Sequence, residues 1–405
     1  MKILHVNYSD SDGGAAIAVK RLHDILSEKK INSNLLVSEK KTYDKNVINI
    51  PKNAEKIKNL LKDSFNRKLI KFTKKENFGS HSLNLIPSKL LTKINNFNAD
   101  VVNLHWIGNE TISIKDINKI KSKIVWTLHD MWSFCGTEHY ASNDGFMYGY
   151  KKKENQSKIF NFDIDRYIWS LKKKNFKNIN KIICTSNWMY DKVKESNLFK
   201  DKQIKIIPLP IDQNFWEPVD QISAKKILNI NEDEKLLVFG ADNFIANKRK
   251  GFELFIDSIK ILKQQKRDYN FKILTFGEKK NLDNYKSLNI QNLGYINDDL
   301  TKKIVFSAAD VTVIPSTMEA FGLVAQEATH CGSPCVVFDN TGLTSIIDNK
   351  KNGYLANFKS SKSLAEGVAW CLNEMNYKQN TIYDFTKKKF NTENIIDSYV
   401  NFLTS

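Results

Sequence analysis

Pro315-Ser316-Thr317-Met318-Glu319-Ala320-Phe321-Gly322-Leu323-Val324-Ala325-Gln326-Glu327 decides how the rest of this chain is read. It follows Val311-Thr312-Val313-Ile314, a run short and β-branched enough for a buried strand. A helix is expected to begin near Gly322. That order leaves Glu319 in a loop and Glu327 more than a turn inside the helix, with the backbone N–H groups of Phe321, Gly322 and Leu323 between them. A helix N-terminus offers unpaired donors and the positive end of its dipole, and a glycine lets a phosphate approach the backbone. At 1.5 Å per residue the two carboxylates stand roughly 8–12 Å apart. That is too far for one shared task and suits an elongated ligand. A nucleotide diphosphate sugar has the layout: sugar hydroxyls at Glu319, diphosphate over the amides, ribose diol at Glu327. The alternative is an ordinary first-turn carboxylate followed by a solvated helix residue.

The 405 residues leave room for two domains with large cores. Met1-Lys2-Ile3-Leu4-His5-Val6-Asn7 is of strand length and turns polar at Tyr8-Ser9-Asp10, which is not the pattern of a signal peptide. No apolar run is long enough to span a bilayer. The five cysteines are scattered and mostly sit in apolar runs, as reduced thiols of a cytoplasmic protein would, and Cys331 and Cys335 are too isolated for a zinc site. Lys and Arg number 62 against 45 Asp and Glu, a net charge of +17. Runs such as Lys151-Lys152-Lys153, Lys172-Lys173-Lys174 and Lys387-Lys388-Lys389 could meet nucleic acid or an anionic membrane face. No nucleic-acid module is recognisable. A basic surface suits a lipid diphosphate acceptor, and the alternative is a Lys- and Asn-rich coding bias that only solvates the surface.

Taken from the start, Ile3 to Val6 predicts a strand, Asp10 to Gly14 a loop, and Ala15, Val19, Leu22 and Leu26 a helical stripe. The lack of a full Gly-x-Gly-x-x-Gly argues against an NAD-binding unit. Leu35-Leu36-Val37 is the next strand, and residues from Thr42 to Leu91 carry little signal. Val101 to Trp106 and Ile124 to Asp130 predict parallel strands that bring His105 and His129 to the strand ends, where ligands sit in open α/β sheets. Asp10-Ser11-Asp12 and Asp163-Ile164-Asp165 raise a metal-dependent reading, but neither follows a long apolar strand, and Asp165 is expected to cap the helix from Arg166 to Lys174. Ile182 to Ser186 and Ile204 to Ile207 close the first domain. Pro208-Leu209-Pro210 stiffens the chain into a linker. Strand and helix signals then alternate again, from Leu236 to Phe239 through Phe252 to Ile256, Lys272 to Phe276 and on to Val336-Val337-Phe338. Thr392 to Leu403 ends the chain with Ile395, Ile396, Tyr399, Val400 and Leu403 on one helical face.

Glu319 and Glu327 within Pro-Ser-x-x-Glu-Ala-Phe-Gly-Leu-x-x-x-Glu-Ala, followed by Cys331-Gly332-Ser333-Pro334-Cys335-Val336-Val337, resemble the donor site of retaining, two-domain (GT-B) glycosyltransferases of family four, a group that includes bacterial polysaccharide enzymes of the colanic-acid type. The resemblance covers nearly the whole chain, is strongest from Lys250 to Ser345 and is weak from Thr42 to Leu91. It implies two doubly wound, Rossmann-like α/β domains facing across a cleft. Residues 1–210 would form the acceptor-side domain, with the C-terminal helix 388–405 packing back on it, and residues 211–387 the nucleotide-sugar-binding domain. It further implies Glu319 beside the transferred sugar and Glu327 on the ribose. His129, in a segment similar to the family's His-Asp-x-Trp, would contact the sugar. Lys250-Gly251 matches the family's Lys-Gly, while the family's arginine falls at Ile245, so Arg249 would stand in for it. Tyr295 and Ile296 would read the base edge, and the amides of Phe321, Gly322 and Leu323 would hold the diphosphate. Gly13 and Gly14 correspond to the Gly-Gly loop of the first domain. Gly342-Leu343 and a helix at Ile346-Ile347-Asp348 would touch the sugar. Two departures stand out: the loop from Phe134 to Tyr140 has one cysteine, and the linker's usual Asn is Leu209.

The activity implied is transfer of a sugar from a UDP- or GDP-sugar co-substrate to a glycan or polyprenyl-diphosphate-linked acceptor, with retention and without a metal. No Asp or Glu stands out as a nucleophile, so a front-side mechanism is expected, in which Lys250, Arg249 and the amides stabilise the departing diphosphate. Nucleic acid is not expected as a partner. The expected location is cytoplasmic, peripheral on the anionic inner face of the plasma membrane. The alternatives are a nucleotide-sugar epimerase or hydrolase of the same fold, or a nucleotide-sugar-binding subunit without catalysis.

Overall fold

A computed structural model describes residues 1–49, 80–150, 163–265, 270–375 and 378–405. The lysine run at 151–153 and residues 50–79 of the weakly patterned stretch lie outside them. Contacts divide the chain into two units, Met1–Pro210 with Ile395–Ser405, and Ile211–Asn394.

The first unit is built on a seven-stranded sheet: β1 (Lys2–Ser9), β2 (Asn32–Glu39), β3 (Val47–Asn49), β4 (Val101–Leu104), β5 (Lys123–Leu128), β6 (Ile179–Cys184) and β7 (Gln203–Ile206), in the order β3-β2-β1-β4-β5-β6-β7. Every pair is parallel, with Leu4 opposite Val102 and Val102 opposite Ile124. The second unit carries β8 (Lys235–Gly240), β9 (Phe271–Phe276), β10 (Ile290–Asn292), β11 (Val311–Ile314), β12 (Cys335–Phe338) and β13 (Gly353–Ala356), ordered β10-β9-β8-β11-β12-β13 and again all parallel. Parallel neighbours need a crossover between them, and the helices that supply it cover both faces of the sheet. That is why the central strands are apolar on both sides: β4, β11 and β12 are buried throughout. Strand order reverses between β1 and β4 and between β8 and β11, and doubly wound sheets bind ligands at such reversals, beyond the carboxyl ends of the strands.

The helices follow their apolar spacing. In Phe252–Gln264 the residues Phe252, Phe255, Ile256, Ile259 and Leu262 are buried and join the core formed by Leu237, Phe239, Ile273, Val311 and Val336. Side chains at the N-caps satisfy orphan amides, as Asp298 does for Thr301 and Ser360 for Ser363.

Three expectations are corrected. Asp163, not Asp165, caps the helix, which starts earlier, at Ile164, and ends at Asn175; Asp165 instead accepts from the Thr137 N–H and hydroxyl at 2.8 and 2.5 Å. Residues 346–348 are not helical: a 3-10 turn ends at Ser345, and beyond it the Asn352 side chain accepts the Asp348 N–H at 2.8 Å and donates to the Ile346 carbonyl at 3.1 Å, drawing both groups out of a helical ladder. In the last helix, Thr392–Thr404, Phe402 takes the buried place expected of Val400, which is only half-buried. All five cysteines are buried free thiols. Among the described residues no helix is long and apolar enough to cross a membrane.

Candidate functional site

In the second unit the loops after β8 and β11 meet at the strand-order reversal. The first ends in a 3-10 turn, Lys248–Lys250; the second runs from Pro315 to Gly322 and opens the helix Leu323–His330. Two contacts knit them: Thr317 donates its N–H to the Arg249 carbonyl at 2.8 Å, and Arg249 Nη1 donates to the Met318 carbonyl. Gly251 must be a glycine, because its φ is +73° and a Cβ would stand 2.0 Å from the Pro315 carbonyl oxygen. The close approach seats Lys250 against Glu319, Nζ to Oε2 at 2.7 Å, with Arg249 Nη1 3.6 Å from the same oxygen. Burial pushes the Glu319 carboxyl up, but Lys250, Arg249 and hydrogen bonds from Lys250 and Ser316 outweigh it and the net shift is downward. Burial likewise pulls Lys250 down, and Glu319 offsets this only in part. The two cations against one carboxylate give these three groups a net charge of +1, at the mouth of a helix N-terminus.

Gly322, at φ +110°, turns the chain into that helix. The first helical bond runs from the Gln326 N–H to the Gly322 carbonyl at 3.1 Å, so the N–H groups of Leu323 to Ala325 lie ahead of it. Phe321 is buried and packs edge-on against Phe390, 6.0 Å between ring centres. Glu327 is 3% exposed. It is therefore not the solvated helix residue of the alternative reading, and carboxylates are almost never so buried unless paired.

On the other side of β8, Tyr295 and Ile296 follow β10. The Tyr295 hydroxyl donates to Asp242 at 2.7 Å, a bond that pushes its pKa up to about 12, and the residue is 40% exposed. Gly277 donates to the Gly294 carbonyl at 2.7 Å and so ties the ends of β9 and β10. Ile245, where the family's arginine would fall, gives its N–H to Glu278 at 3.1 Å. Asp242, Glu278 and the Met318 carbonyl are parts of this frame that sequence reasoning missed. Only the position of Glu278, just beyond β9, hinted at it.

In the first unit His105 directly follows β4 and His129 directly follows β5. His129 Nε2 is 3.0 Å from His105 Nδ1, and His105 Nε2 is 3.0 Å from His5 Nδ1. Burial lowers the His129 pKa to about 4, partly offset by Asp130. Asp130 accepts from His139 Nδ1 at 2.5 Å and from the Trp132 N–H at 2.9 Å, and His139 Nε2 lies 2.8 Å from Ser82 Oγ. Burial raises Asp130, but His139 and these bonds win and its net shift is down. His139 therefore serves to hold Asp130, and of His105, His129 and His139, the first and the last have both ring nitrogens engaged, while His129 is engaged only through Nε2 among the described residues.

The loop after His129 is fastened by Lys172, a fully buried residue that donates to the carbonyls of Cys135 at 3.0 Å, Gly136 at 2.7 Å and Trp132. Its ammonium also sits 3.8 Å from the centre of the Trp132 ring. The run Lys172-Lys173-Lys174 is thus not a single basic patch: only Lys173 and Lys174 are exposed. Gly13 and Gly14 are exposed at the start of the helix Gly13–Glu28. Asp10 is bound by the N–H groups of Lys41 and Thr42 at 2.8 and 3.1 Å, and Asp12 pairs with Lys41. Among the described residues no group of three or more His, Cys, Asp or Glu is placed to hold a metal.

Each unit matches a family model: residues 51–215 match Glycosyltransferase Family 4, and residues 220–388 match Glycosyl transferases group 1. Sucrose-phosphate synthase from Thermosynechococcus elongatus superposes with a TM-score of 0.65 at 17% identity, covering 99% of this chain and 98% of that one. The Anabaena protein HepE, solved with UDP and glucose, gives 0.66 at 15% identity over 100% of both chains. The fold is that of the GT-B class. With the two family models it supports a GT-B glycosyltransferase of the family 4 type. An uncharacterized glycosyltransferase of Methanocaldococcus jannaschii is 31% identical over 219 residues, which are 50% of this chain and 54% of that protein. An uncharacterized 41.2 kDa protein in the cps region of Klebsiella pneumoniae is 26% identical over 332 residues, 80% and 83% of the two chains. The chain thus spans about half the length of the archaeal relative and most of the Klebsiella one.

Proposed function

We propose that this chain moves a sugar from a UDP- or GDP-sugar to a hydroxyl of a growing, lipid-linked glycan in bacterial surface polysaccharide assembly, with retention at the anomeric carbon and without a metal. The observation that carries it is the Lys250, Arg249 and Glu319 cluster at the mouth of the helix Leu323–His330. When the bond from the anomeric carbon to the diphosphate breaks, negative charge gathers on the leaving oxygen. Lys250, Arg249 and the first-turn N–H groups are fixed donors for that charge. The acceptor oxygen attacks from the same face, and its proton passes to the departing diphosphate. Glu319 holds the sugar hydroxyls, Glu327 the ribose diol, Tyr295 and Ile296 the base edge. His129 meets the sugar, and the Gly13-Gly14 loop lies on the acceptor side. The relatives agree in kind. One is an uncharacterized protein named for the cps region, and another, 27% identical over 56% of its length, is the Campylobacter jejuni N,N'-diacetylbacillosaminyl-diphospho-undecaprenol alpha-1,3-N-acetylgalactosaminyltransferase.

The test is a donor panel measured by calorimetry and turnover. Glu327→Ala should weaken donor binding roughly tenfold to a hundredfold with kcat little changed, since a charged acceptor of hydrogen bonds contributes about 1.5–3 kcal/mol. Wild-type affinity in this variant would remove Glu327 from the site. Excess chelator should leave turnover as it was; activity lost to chelation and restored by a divalent cation would end the metal-free reading.

The same proposal extends to location, a cytoplasmic enzyme resting on an anionic inner leaflet. The net charge of +17 supports it, with exposed Lys173 and Lys174 in one unit and Lys388 in the other. Each lysine near such a surface adds about 1 kcal/mol and is screened by salt. Anionic vesicles should therefore bind the protein at low salt and release it steeply as salt rises. Equal affinity for neutral vesicles, or none for either, would point to a soluble acceptor.

A further inference from the structure

Three histidines stand in a row across three neighbouring strands of the first unit, one within its strand and two just past the ends of theirs. His5 lies within β1, and the sheet order β1-β4-β5 sets it beside His105 and His129 in turn. The two links, His5 Nδ1 to His105 Nε2 and His105 Nδ1 to His129 Nε2, are both 3.0 Å. A neutral imidazole has one N–H and one bare nitrogen, so each link needs a donor on one ring and a lone pair on the other. Only two patterns meet both demands with neutral rings. Either every ring carries its proton on Nδ1, or every ring carries it on Nε2.

The far end of the row decides. His5 Nε2 is buried with no hydrogen-bond partner among the described residues. The Tyr399 ring stacks on His5 at 6.3 Å and His23 meets it edge-on at 6.4 Å. Leaving a buried N–H unpaired costs more than leaving a bare acceptor, and orphaned N–H groups are the rarer of the two in folded proteins. His5 Nε2 is therefore the bare nitrogen, which selects the pattern with every proton on Nδ1. At the near end this puts an N–H on His129 Nδ1.

We propose that His5 and His105 are positioning residues that hold His129 in its Nδ1–H tautomer, so that His129 meets its ligand as a neutral hydrogen-bond donor and not as a base. Resting on the function proposed above, the ligand atom is a hydroxyl oxygen of the transferred sugar. Burial agrees with neutral rings, since it lowers His5 to about 3 and His129 to about 4. A donor at this place leaves deprotonation of the acceptor to the departing diphosphate.

Nitrogen-15 NMR of the imidazole rings in the ligand-free protein reads the tautomer directly, with His129→Asn assigning the signals. A protonated Nδ1 and bare Nε2 on His129 at neutral pH are expected, and His105→Leu should return the ring to the mixed tautomers of a free imidazole. An Nε2–H or doubly protonated His129 in the wild-type protein overturns the proposal, whether or not the His105 variant folds. In turnover, His129→Asn keeps an amide N–H near the place of Nδ1 and should stay within roughly tenfold of wild type, whereas His129→Ala should lose about a hundredfold. Equal losses in both would also overturn it. Because the tautomer is read without ligand, failure of nucleotide sugars to bind would count against the proposed activity and leave the row of histidines standing.

Discussion

Glu319→Ala should lower kcat by roughly a hundredfold or more while donor affinity holds or even tightens. The loss is of the size seen when a group that stabilises only the transition state is removed. The affinity follows from the charges. Glu319 pairs with Lys250 at 2.7 Å and stands 3.6 Å from Arg249, so deleting it leaves two cations uncompensated where the diphosphate is proposed to bind. A variant that binds its substrate as well as before and turns it over slowly has lost transition-state contacts alone. Steady-state kinetics across donor concentrations separates the two quantities, and Glu319→Gln, which keeps the shape without the charge, should fall between. A wild-type kcat in Glu319→Ala would remove the residue from the chemistry altogether.

The largest effect on stability is expected from Lys172→Met. Three carbonyls, those of Trp132, Cys135 and Gly136, depend on the Lys172 ammonium. A buried acceptor left without its donor costs about 1–3 kcal/mol, so the variant should lose about 3 kcal/mol or more even though methionine fills much of the volume. The pH dependence carries a second signature. Burial pulls the Lys172 pKa from 10.5 to about 7, against smaller opposing pulls from nearby Cys135 and Glu138. Between those values the unfolded chain holds a proton that the folded chain has released. The penalty for burying the charge is therefore complete below about pH 7 and is relieved as pH rises toward 10.5, so wild-type stability gains a rising slope across that window. Lys172→Met should lack it. Urea unfolding on either side of the window measures both effects, and parallel profiles for the two proteins would show that Lys172 titrates normally.

Lys172 also shows what local patterns conceal. Inside three consecutive lysines it looks like surface, yet Ile164, Ile168 and Lys172 fall every four residues and are all buried on one helix face. The stripe was there to be found, hidden by the charge of its last member. Asp163 and Asp165 posed a different difficulty: both can cap, and only the true start of the helix, at Ile164, separates them. The central strands were plain because burial on both faces demands unbroken apolar runs, whereas β10 and β13, at the two sheet edges, are only partly buried and carry no such run. The pairing of Lys250 with Glu319 spans 69 positions, so no window of sequence contains it. It was still within reach, because loops after β8 and β11 must converge wherever strand order reverses. The histidine row was not. His105 and His129 could be placed at strand ends, but His5 lies inside β1, 100 positions from His105, and only the strand order β1-β4-β5 brings it beside them.

The division of the chain has a consequence for how it is made. The first unit includes Ile395–Ser405, where the Tyr399 hydroxyl takes a hydrogen bond from Asn103 at 2.6 Å and Lys181 donates to the Phe402 carbonyl at 2.8 Å. Ile211–Asn394 is continuous and can close as soon as it leaves the ribosome. The unit begun first is therefore the one finished last: throughout synthesis its sheet waits for a helix that has not yet been translated, with Asn103 and the ring of His5 uncovered. A fragment stopped at Pro210 would remain in that unfinished state.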